Sequence, residues 1–324
     1  MDPKSKILNL KSKILIVVGP TSSGKSELAV KLAKRFNGEI ISCDSRQIYK
    51  GMDLGTGKVE GKWFVDKRAG RAIRQHYAYK GVVHHCLDYI NPRLQYSASL
   101  FQRDAKKIIQ DVVARGKLPI LCGGTAHWID AVVYNQIIPD VKPNLKLRTK
   151  LEKQSADALF KKLMKIDPHR AKNIDRYNKR RLIRALEIVI TTGKPVPALS
   201  TINYKLPTYL PLWIGINPLQ PILFGKIKKR LKQRLNEGMI KEVSQLHTQG
   251  LSWKKLESFG LEYKFVSLFL QKKLSYDEMF SQLLLAIQHY TKRQMTWWKR
   301  NKEINWIKNP SEAQKLTKNF LQPL

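Results

Sequence analysis

The sequence predicts an α/β fold: a P-loop NTPase-like core with a parallel sheet, an all-helical insertion domain and a helical C-terminal region. Three observations carry the prediction. An apolar run, residues 14–18, leads directly into Gly19-Pro20-Thr21-Ser22-Ser23-Gly24-Lys25-Ser26, which satisfies the pattern G-x-x-x-x-G-K-S/T in full. Strand-like and helix-like segments then alternate, the order expected of βα units feeding a parallel sheet. Residues 139–205 show helical periodicity alone and read as an insertion, leaving residues 1–138 and 206–324 as the core.

The elements follow in order. Residues 14–18 form a buried strand, and residues 27–36 a helix whose Leu28, Ala29, Leu32 and Ala33 share one face. Asn37-Gly38 is a turn signal, and residues 39–43 a second strand that delivers Asp44 at its C-terminal end. Residues 58–83 are polar, basic and without clear period, and read as loops. Ser97 caps a helix reaching Arg115, with Leu100, Ala105, Ile108, Ile109 and Val112 as its inner stripe; Gly116 ends it. Residues 118–122 make a third strand, followed by Gly123-Gly124-Thr125. The insertion holds short helices at 145–153, 156–165, after Asp167-Pro168, and at 179–192, the last stopped by Gly193-Lys194-Pro195. Strand character returns at 210–216, and helices follow at 223–236, 239–248, 263–270 and 276–301.

The 324 residues carry 60 Lys and Arg against 25 Asp and Glu, a formal charge of +35. A cationic field of that size attracts polyanions, nucleic acid first among them. The hydrophobic fraction of 43% is that of a globular chain, and no run is long enough to span a bilayer. Cys43, Cys86 and Cys122 form no C-x-x-C pair, so neither zinc nor a redox couple is indicated; sparse, odd cysteines fit a cytoplasmic protein.

The glycine loop explains its own chemistry. Successive backbone N–H groups converge on phosphate oxygens, the following helix adds its positive end, Lys25 reaches the terminal phosphate, and the Ser26 hydroxyl can ligate Mg²⁺. Ligands of parallel α/β sheets sit outside the carboxyl ends of strands, which places Asp44 near this loop, on the adjacent strand end. Two roles suit it: general base for an attacking nucleophile, or Mg²⁺ ligand. His84, His85 and Asp88 form a second polar cluster, better read as a hydrogen-bonded element than as a metal site. Three helices concentrate cations: Arg176, Lys179, Arg180, Arg181 and Arg184; Lys226 to Arg234; and Lys292 to Lys302, where Trp297 and Trp298 offer stacking surfaces for RNA bases.

At these residues the sequence resembles the tRNA dimethylallyltransferases, or IPP transferases. The resemblance runs in order through GPTSSGKS (19–26), DSRQIYKGMDLGTGK (44–58), HHCLDYINP (84–92), YSASLFQRDA (96–105), GGT (123–125), NKRRLIRALEI (178–188), RLKQRLNEGM (230–239) and YTKRQMTW (290–297). It implies that the P-loop holds the diphosphate of dimethylallyl diphosphate, with Lys25, Thr21, Arg230 and a Ser26-bound Mg²⁺ around the leaving group. It implies Asp44 as base for the adenine N6 amine and Thr125 beside that adenosine. The tRNA anticodon stem-loop is expected on Asp44, Ser45, Arg46 and Gln47, on Arg180, Arg181, Leu182, Ile183 and Arg184, on Ser258, Phe259 and Gly260, and on Lys292 and Arg293. The resemblance implies a monomer with no membrane association. Four departures stand out: Asn217-Pro218 where Asp-Arg is common, Gln288-His289 for Thr-Arg, Leu261-Glu262 for Tyr-Lys, and a long 58–83 segment. The first removes an expected cation. The rival readings are a P-loop kinase, which leaves three basic helices without a role, and an RNA-binding ATPase, which should carry a hydrophobic strand ending in a clear acid; residues 118–122 and 212–216 lack one, and only Asp44 and, weakly, Asp88 could serve.

Overall fold

Strand β1 (Lys13–Val18) has no exposed residue from Ile14 onward, which is why its sequence shows no alternation: both faces of a parallel sheet are covered. The computed structural model describes residues 12–68, 71–197 and 208–322. With β2 (Gly38–Ser42), β3 (Lys62–Arg68), β4 (Arg71–Tyr79), β5 (Val82–His85), β6 (Leu118–Cys122), β7 (Leu210–Ile216) and β8 (Asn305–Ile307), it builds an eight-stranded sheet in the order β3-β4-β5-β2-β6-β1-β7-β8. The strands from β5 to β8 pair in parallel, whereas β3 with β4 and β4 with β5 are antiparallel. Helix α1 (Lys25–Arg35) packs Leu28, Ala29, Leu32 and Ala33 into a core with Leu15, Val17, Ile40, Ile120 and Ile214. Helix α2 (Ala98–Ala114) is capped as expected, Ser97 Oγ accepting from Leu100 N at 3.2 Å. Its buried stripe is Phe101, Ala105, Ile109 and Val112, shifting the expected face by about one residue at its start.

Two corrections concern the core. Residues 58–83 are not loops: they supply the antiparallel β3–β4 pair, which β5 joins to the parallel strands. Trp63-Phe64-Val65 and Tyr77-Ala78-Tyr79 have the aromatic character of strands, but Trp63, Phe64 and Val65 are all exposed, so no apolar alternation marks them. Four short elements are also absent from the sequence expectations: α3 (Ala126–Val133), α10 (Trp253–Phe259), β8 and the helix α13 (Pro310–Leu321).

Near-total burial of Glu39, on β2, is tolerated because two cations and a histidine ring nitrogen converge on it. Arg115 Nη2 and His85 Nε2 lie 2.7 Å from its Oε2, and Lys117 Nζ lies 2.8 Å from Oε1. Burial alone would push this carboxyl up; the hydrogen bonds from Arg115, His85 and Lys117 outweigh it and hold it far below the ordinary glutamate value. A depressed carboxylate contributes stability above its unfolded-state value of 4.5 and loses it as the pH falls below that. Glu39→Gln is therefore expected to cost about 2–3 kcal/mol near neutral pH, from cations left half-buried, and to flatten the acid limb of a urea-unfolding series. An unchanged acid limb would contradict this account.

The chain divides into two compact units, Met1–Val133 with Pro207–Leu324, and Tyr134–Leu206, where the sequence expectation puts the boundary at 138/139. The second unit contains α4 (Leu145–Glu152), α5 (Ala156–Ile166), α6 (Pro168–Lys172) and α7 (Lys179–Thr192). Asn144, Ser155, Asp167 and Asn178 cap these four helices in turn, so each start is set by its own sequence. Leu151, Leu159, Leu163, Leu182, Ile183 and Leu186 form its core. Beside them Glu187 takes charged hydrogen bonds from Arg148 and Arg184, both at 2.6 Å. In the first unit the helices α8 (Gln220–Asn236), α9 (Met239–Thr248), α11 (Leu261–Leu270) and α12 (Tyr276–Trp298) follow β7.

Candidate active site

The P-loop joins the end of β1 to the start of α1, so the first-turn N–H groups of α1 face the same space as Lys25. Lys25 Nζ donates to the Pro20 carbonyl at 3.2 Å. Burial pulls the ammonium below its ordinary pKa; Cys122 and Asp44 oppose that shift and Arg230 reinforces it. A cation that is costly to bury here without a counter-ion is poised to accept an anion.

Asp44 follows β2, as expected, but β2 is not beside β1: β6 lies between them. The two strand ends still share a cavity because Gly123-Gly124, after β6, occupies almost no space. A Cβ on Gly123 would stand 2.2 Å from the Cys43 carbonyl oxygen, so only glycine lets the loop after β2 close over the end of β6. Asp44 Oδ1 accepts from Arg46 N at 2.9 Å and Gln47 N at 3.4 Å, an Asx turn that fixes the carboxylate. Thr125 Oγ1 accepts from Ser45 N at 3.1 Å. Gln294, buried on α12, ties the remaining loops: its Oε1 accepts from Thr21 N and its Nε2 donates to the Gly124 carbonyl, both at 3.0 Å.

From α8, Arg230 donates to Ser22 Oγ at 3.4 Å and to the Gly57 carbonyl at 3.1 Å. Burial brings its pKa down to about 10, with Arg234 adding to the shift and Glu262 and Asp44 opposing it. These groups line an open cleft of about 650 Å³, open solvent included, polar at Thr21, Lys25, Ser26, Asp44, Gln47 and Arg230, and apolar along Ala29, Ile40, Leu87 and Cys122. A second cavity of about 800 Å³ shares Thr21, Asp44, Thr56 and Tyr290 with it and continues past Arg46, Phe259, Gly260, Glu262 and Tyr263. The carboxylate of Asp44 thus lies between a phosphate-binding space with an apolar wall and an aromatic-lined space.

Of the residues expected from sequence, Thr21, Lys25, Ser26, Asp44, Gln47 and Arg230 converge on the first cavity, and Ser45, Arg46, Phe259 and Gly260 on the second. Arg46 Nε donates to the Phe259 carbonyl at 2.8 Å, linking the loop after β2 to α10. Ser258 is exposed, as are Lys292 and Arg293 on α12. Several expectations need correction. Leu182 and Ile183 are core residues of the helical unit and present no side chain to a partner; the helical period puts them on the inward face. Arg184 is committed to Glu187 and to the Val141 carbonyl, leaving Arg180 and Arg181 as the exposed cations of that turn. Trp298 is buried against Trp213 and offers no stacking surface; Trp297 is half-buried, its Nε1 donating to Asp130 at 2.8 Å and the Arg300 guanidinium lying 5.3 Å from its ring centroid. His84, His85 and Asp88 do not converge: His85 pairs with Glu39, and Asp88 takes Lys58 Nζ at 2.6 Å. His84 lines the first cavity as a neutral ring, burial pushing its pKa down to about 4. Nothing in the sequence patterning assigns a role to Gln294 or Tyr290, whose only signal is membership of the YTKRQMTW segment; Arg234 is marked there only as one cation of a basic helix and a member of RLKQRLNEGM.

A phosphate loop and a fixed carboxylate that line one cavity, with apolar residues along its wall, fit a P-loop group transferase. Comparison with known proteins makes this specific. The family model described as IPP transferase matches residues 47–301, and the one described as isopentenyl transferase matches residues 12–68. The chain is 35% identical to tRNA dimethylallyltransferase 1 of Geotalea uraniireducens over 95% of its length and 97% of the relative's, and 36% identical to tRNA dimethylallyltransferase of Pelotomaculum thermopropionicum over 93% and 92%. Its structure resembles the tRNA isopentenylpyrophosphate transferase of Bacillus halodurans, with a TM-score of 0.66 and 31% identity, covering 96% of this chain and 97% of that one. The chain belongs to the IPP transferase family and is a prenyltransferase.

Proposed function

We propose that this enzyme transfers the dimethylallyl group of dimethylallyl diphosphate to N6 of the adenosine 3′-adjacent to the anticodon, in tRNAs reading codons that begin with U, to give N6-isopentenyladenosine. The observation that carries the reading is one cavity lined by Lys25 and Ser26 of the phosphate loop, by Asp44 and by the apolar Ala29, Ile40 and Leu87. That shape suits an amphiphilic prenyl diphosphate. The allylic C–O bond ionises as the P-loop N–H groups, Lys25 and Arg230 stabilise the departing charge. The N6 amine, a poor nucleophile in its conjugated ring, attacks the carbon while Asp44 takes its proton. The adenosine reaches this point flipped out of its stack, through the space lined by Phe259, Tyr263 and Tyr290.

The reading includes Mg²⁺ with the donor. Among the described residues no cluster of three acidic, His or Cys side chains could cage an ion. Mg²⁺ held with a diphosphate needs few protein ligands, and Ser26 and Asp44 line the cavity on which the phosphates would lie, so the residues fit. The ion would neutralise the leaving group, with the Ser26 hydroxyl holding it. Arg180, Arg181, Lys292 and Arg293, all exposed, supply phosphate contacts to the anticodon stem-loop, within a chain of net charge +35. The reading also takes the enzyme as a monomer, and as cytoplasmic, where the buried free thiols of Cys43, Cys86 and Cys122 stay reduced. No helix among the described residues is long and apolar enough to cross a membrane.

Purified enzyme with Mg²⁺ and dimethylallyl diphosphate is expected to modify an anticodon stem-loop carrying adenosine at that position. Nucleoside mass spectrometry of the digested RNA should then show N6-isopentenyladenosine. Transfer to a different nucleoside, or ATP-dependent phosphorylation in its place, would overturn the reading.

A further inference from the structure

We propose that Arg234 is a second guanidinium for the departing diphosphate, oriented for that task by Glu262. The inference rests on the prenyl-transfer reading above and adds a residue to its leaving-group site. Arg230 and Arg234 sit four residues apart on α8, whose apolar anchors are Leu223, Ile227, Leu231 and Leu235. Each arginine precedes an anchor by one position, so both turn toward the loop after Thr56. There Gly57 has a φ of +61°, and its missing side chain is what admits them: a Cβ would lie 1.4 Å from Nη2 of Arg234 and 2.0 Å from Nη2 of Arg230. The two guanidinium groups therefore stand side by side.

Asp44 and Glu262 act on Arg230 from nearby, and Glu242 and Glu237 on Arg234, but few acceptors touch the two groups directly. Arg230 has neutral partners, the Ser22 hydroxyl and the Gly57 carbonyl. Arg234 has one carboxylate, Glu262 Oε1 at 3.3 Å from Nη1, and both members of that pair are about nine-tenths buried. Nη2 of Arg234 is buried with no hydrogen-bond partner among the described residues. Two adjacent buried cations, a single carboxylate in hydrogen-bond contact with them and an unused donor form a site that gains most from an anion with several acceptor oxygens. A diphosphate is such an anion. Placement agrees with this. Arg230 borders the cavity of the P-loop, Arg234 borders the cavity continuing past Asp44, and both border an outer polar cavity of about 960 Å³ that also meets Lys58 and Gln233.

In the balanced step, the bond between the allylic carbon and the diphosphate oxygen breaks, and the diphosphate leaves with the electron pair. The N6–carbon bond forms, and the N6 proton passes to Asp44. Arg234 exchanges no proton; it holds charge on the leaving group, and Glu262 holds Arg234.

Inorganic diphosphate serves as the probe. In wild-type enzyme it is expected to inhibit competitively with the donor and to raise the melting temperature. Arg234→Met, which keeps volume and removes charge, should weaken that inhibition about tenfold to a hundredfold, the scale of a lost charge-assisted hydrogen bond, and lower kcat/KM for the donor in parallel. KM for the RNA should stay within about twofold. Arg234→Gln carries the same expectation should the methionine variant fail to fold. Unchanged inhibition by diphosphate in a folded variant, or a change confined to the KM of the RNA, would overturn the assignment of Arg234 alone. Absence of diphosphate inhibition in wild-type enzyme would instead overturn the underlying reading of the site.

Discussion

Asp44→Asn is expected to lower prenyl transfer by about 10²–10⁴-fold, the usual contribution of a positioned base, while leaving donor binding within about twofold. Asparagine is the informative replacement because the carboxylate has two duties. Its Oδ1 accepts from Arg46 N and Gln47 N, which shapes the turn leading into the acceptor space. An asparagine carbonyl oxygen accepts the same two hydrogen bonds, so the turn persists while the capacity to take a proton disappears. Alanine would remove both duties and confuse them. Single-turnover transfer measured beside equilibrium binding of the donor separates the two. Wild-type rates in Asp44→Asn would remove the residue as the base. Loss of donor binding with unchanged chemistry would assign it to the leaving-group side instead.

The second large effect is expected at Lys25. Lys25→Met should weaken donor binding and slow transfer together by about 10²–10³-fold, because the ammonium meets charge that grows as the diphosphate departs. The same substitution should leave the unliganded protein at least as stable as wild type. The reason lies in the free site: burial already holds the Lys25 pKa down, so the charge costs free energy until an anion arrives, and among the described residues its ammonium donates to the neutral Pro20 carbonyl. Thermal unfolding and donor turnover on one preparation test both halves. A large fall in stability with unaltered donor KM would make Lys25 a structural residue.

Part of the site is legible in the sequence because its pieces are contiguous. The loop from Gly19 to Ser26 declares phosphate binding through spacing alone, and its place between a strand and a helix follows from local hydrophobic pattern. Asp44 can be placed at a strand end for the same reason. The antiparallel pair over residues 62–79 is not legible, since its outer aromatics are exposed and carry no alternation. The basic helices mislead in a different way: counting cations does not reveal that Arg184 serves Glu187, or that Trp298 belongs to the core.

The sequence by itself determined the class of fold, the phosphate loop, the acid that faces it and the helical nature of the insertion, because each depends on residues within about a dozen positions of one another. Only the tertiary structure decided what completes the site. Gln294 meets Thr21 across 273 positions, Arg230 meets Ser22 across 208, and Arg234 meets Glu262 across 28, all through helices packed beyond the sheet ends. Order along the sheet was likewise hidden: β6 separates β1 from β2, and a glycine without a side chain closes the gap. Such meetings are set by how helices and strands pack, and local periodicity records which face a residue occupies but not which distant residue it will face.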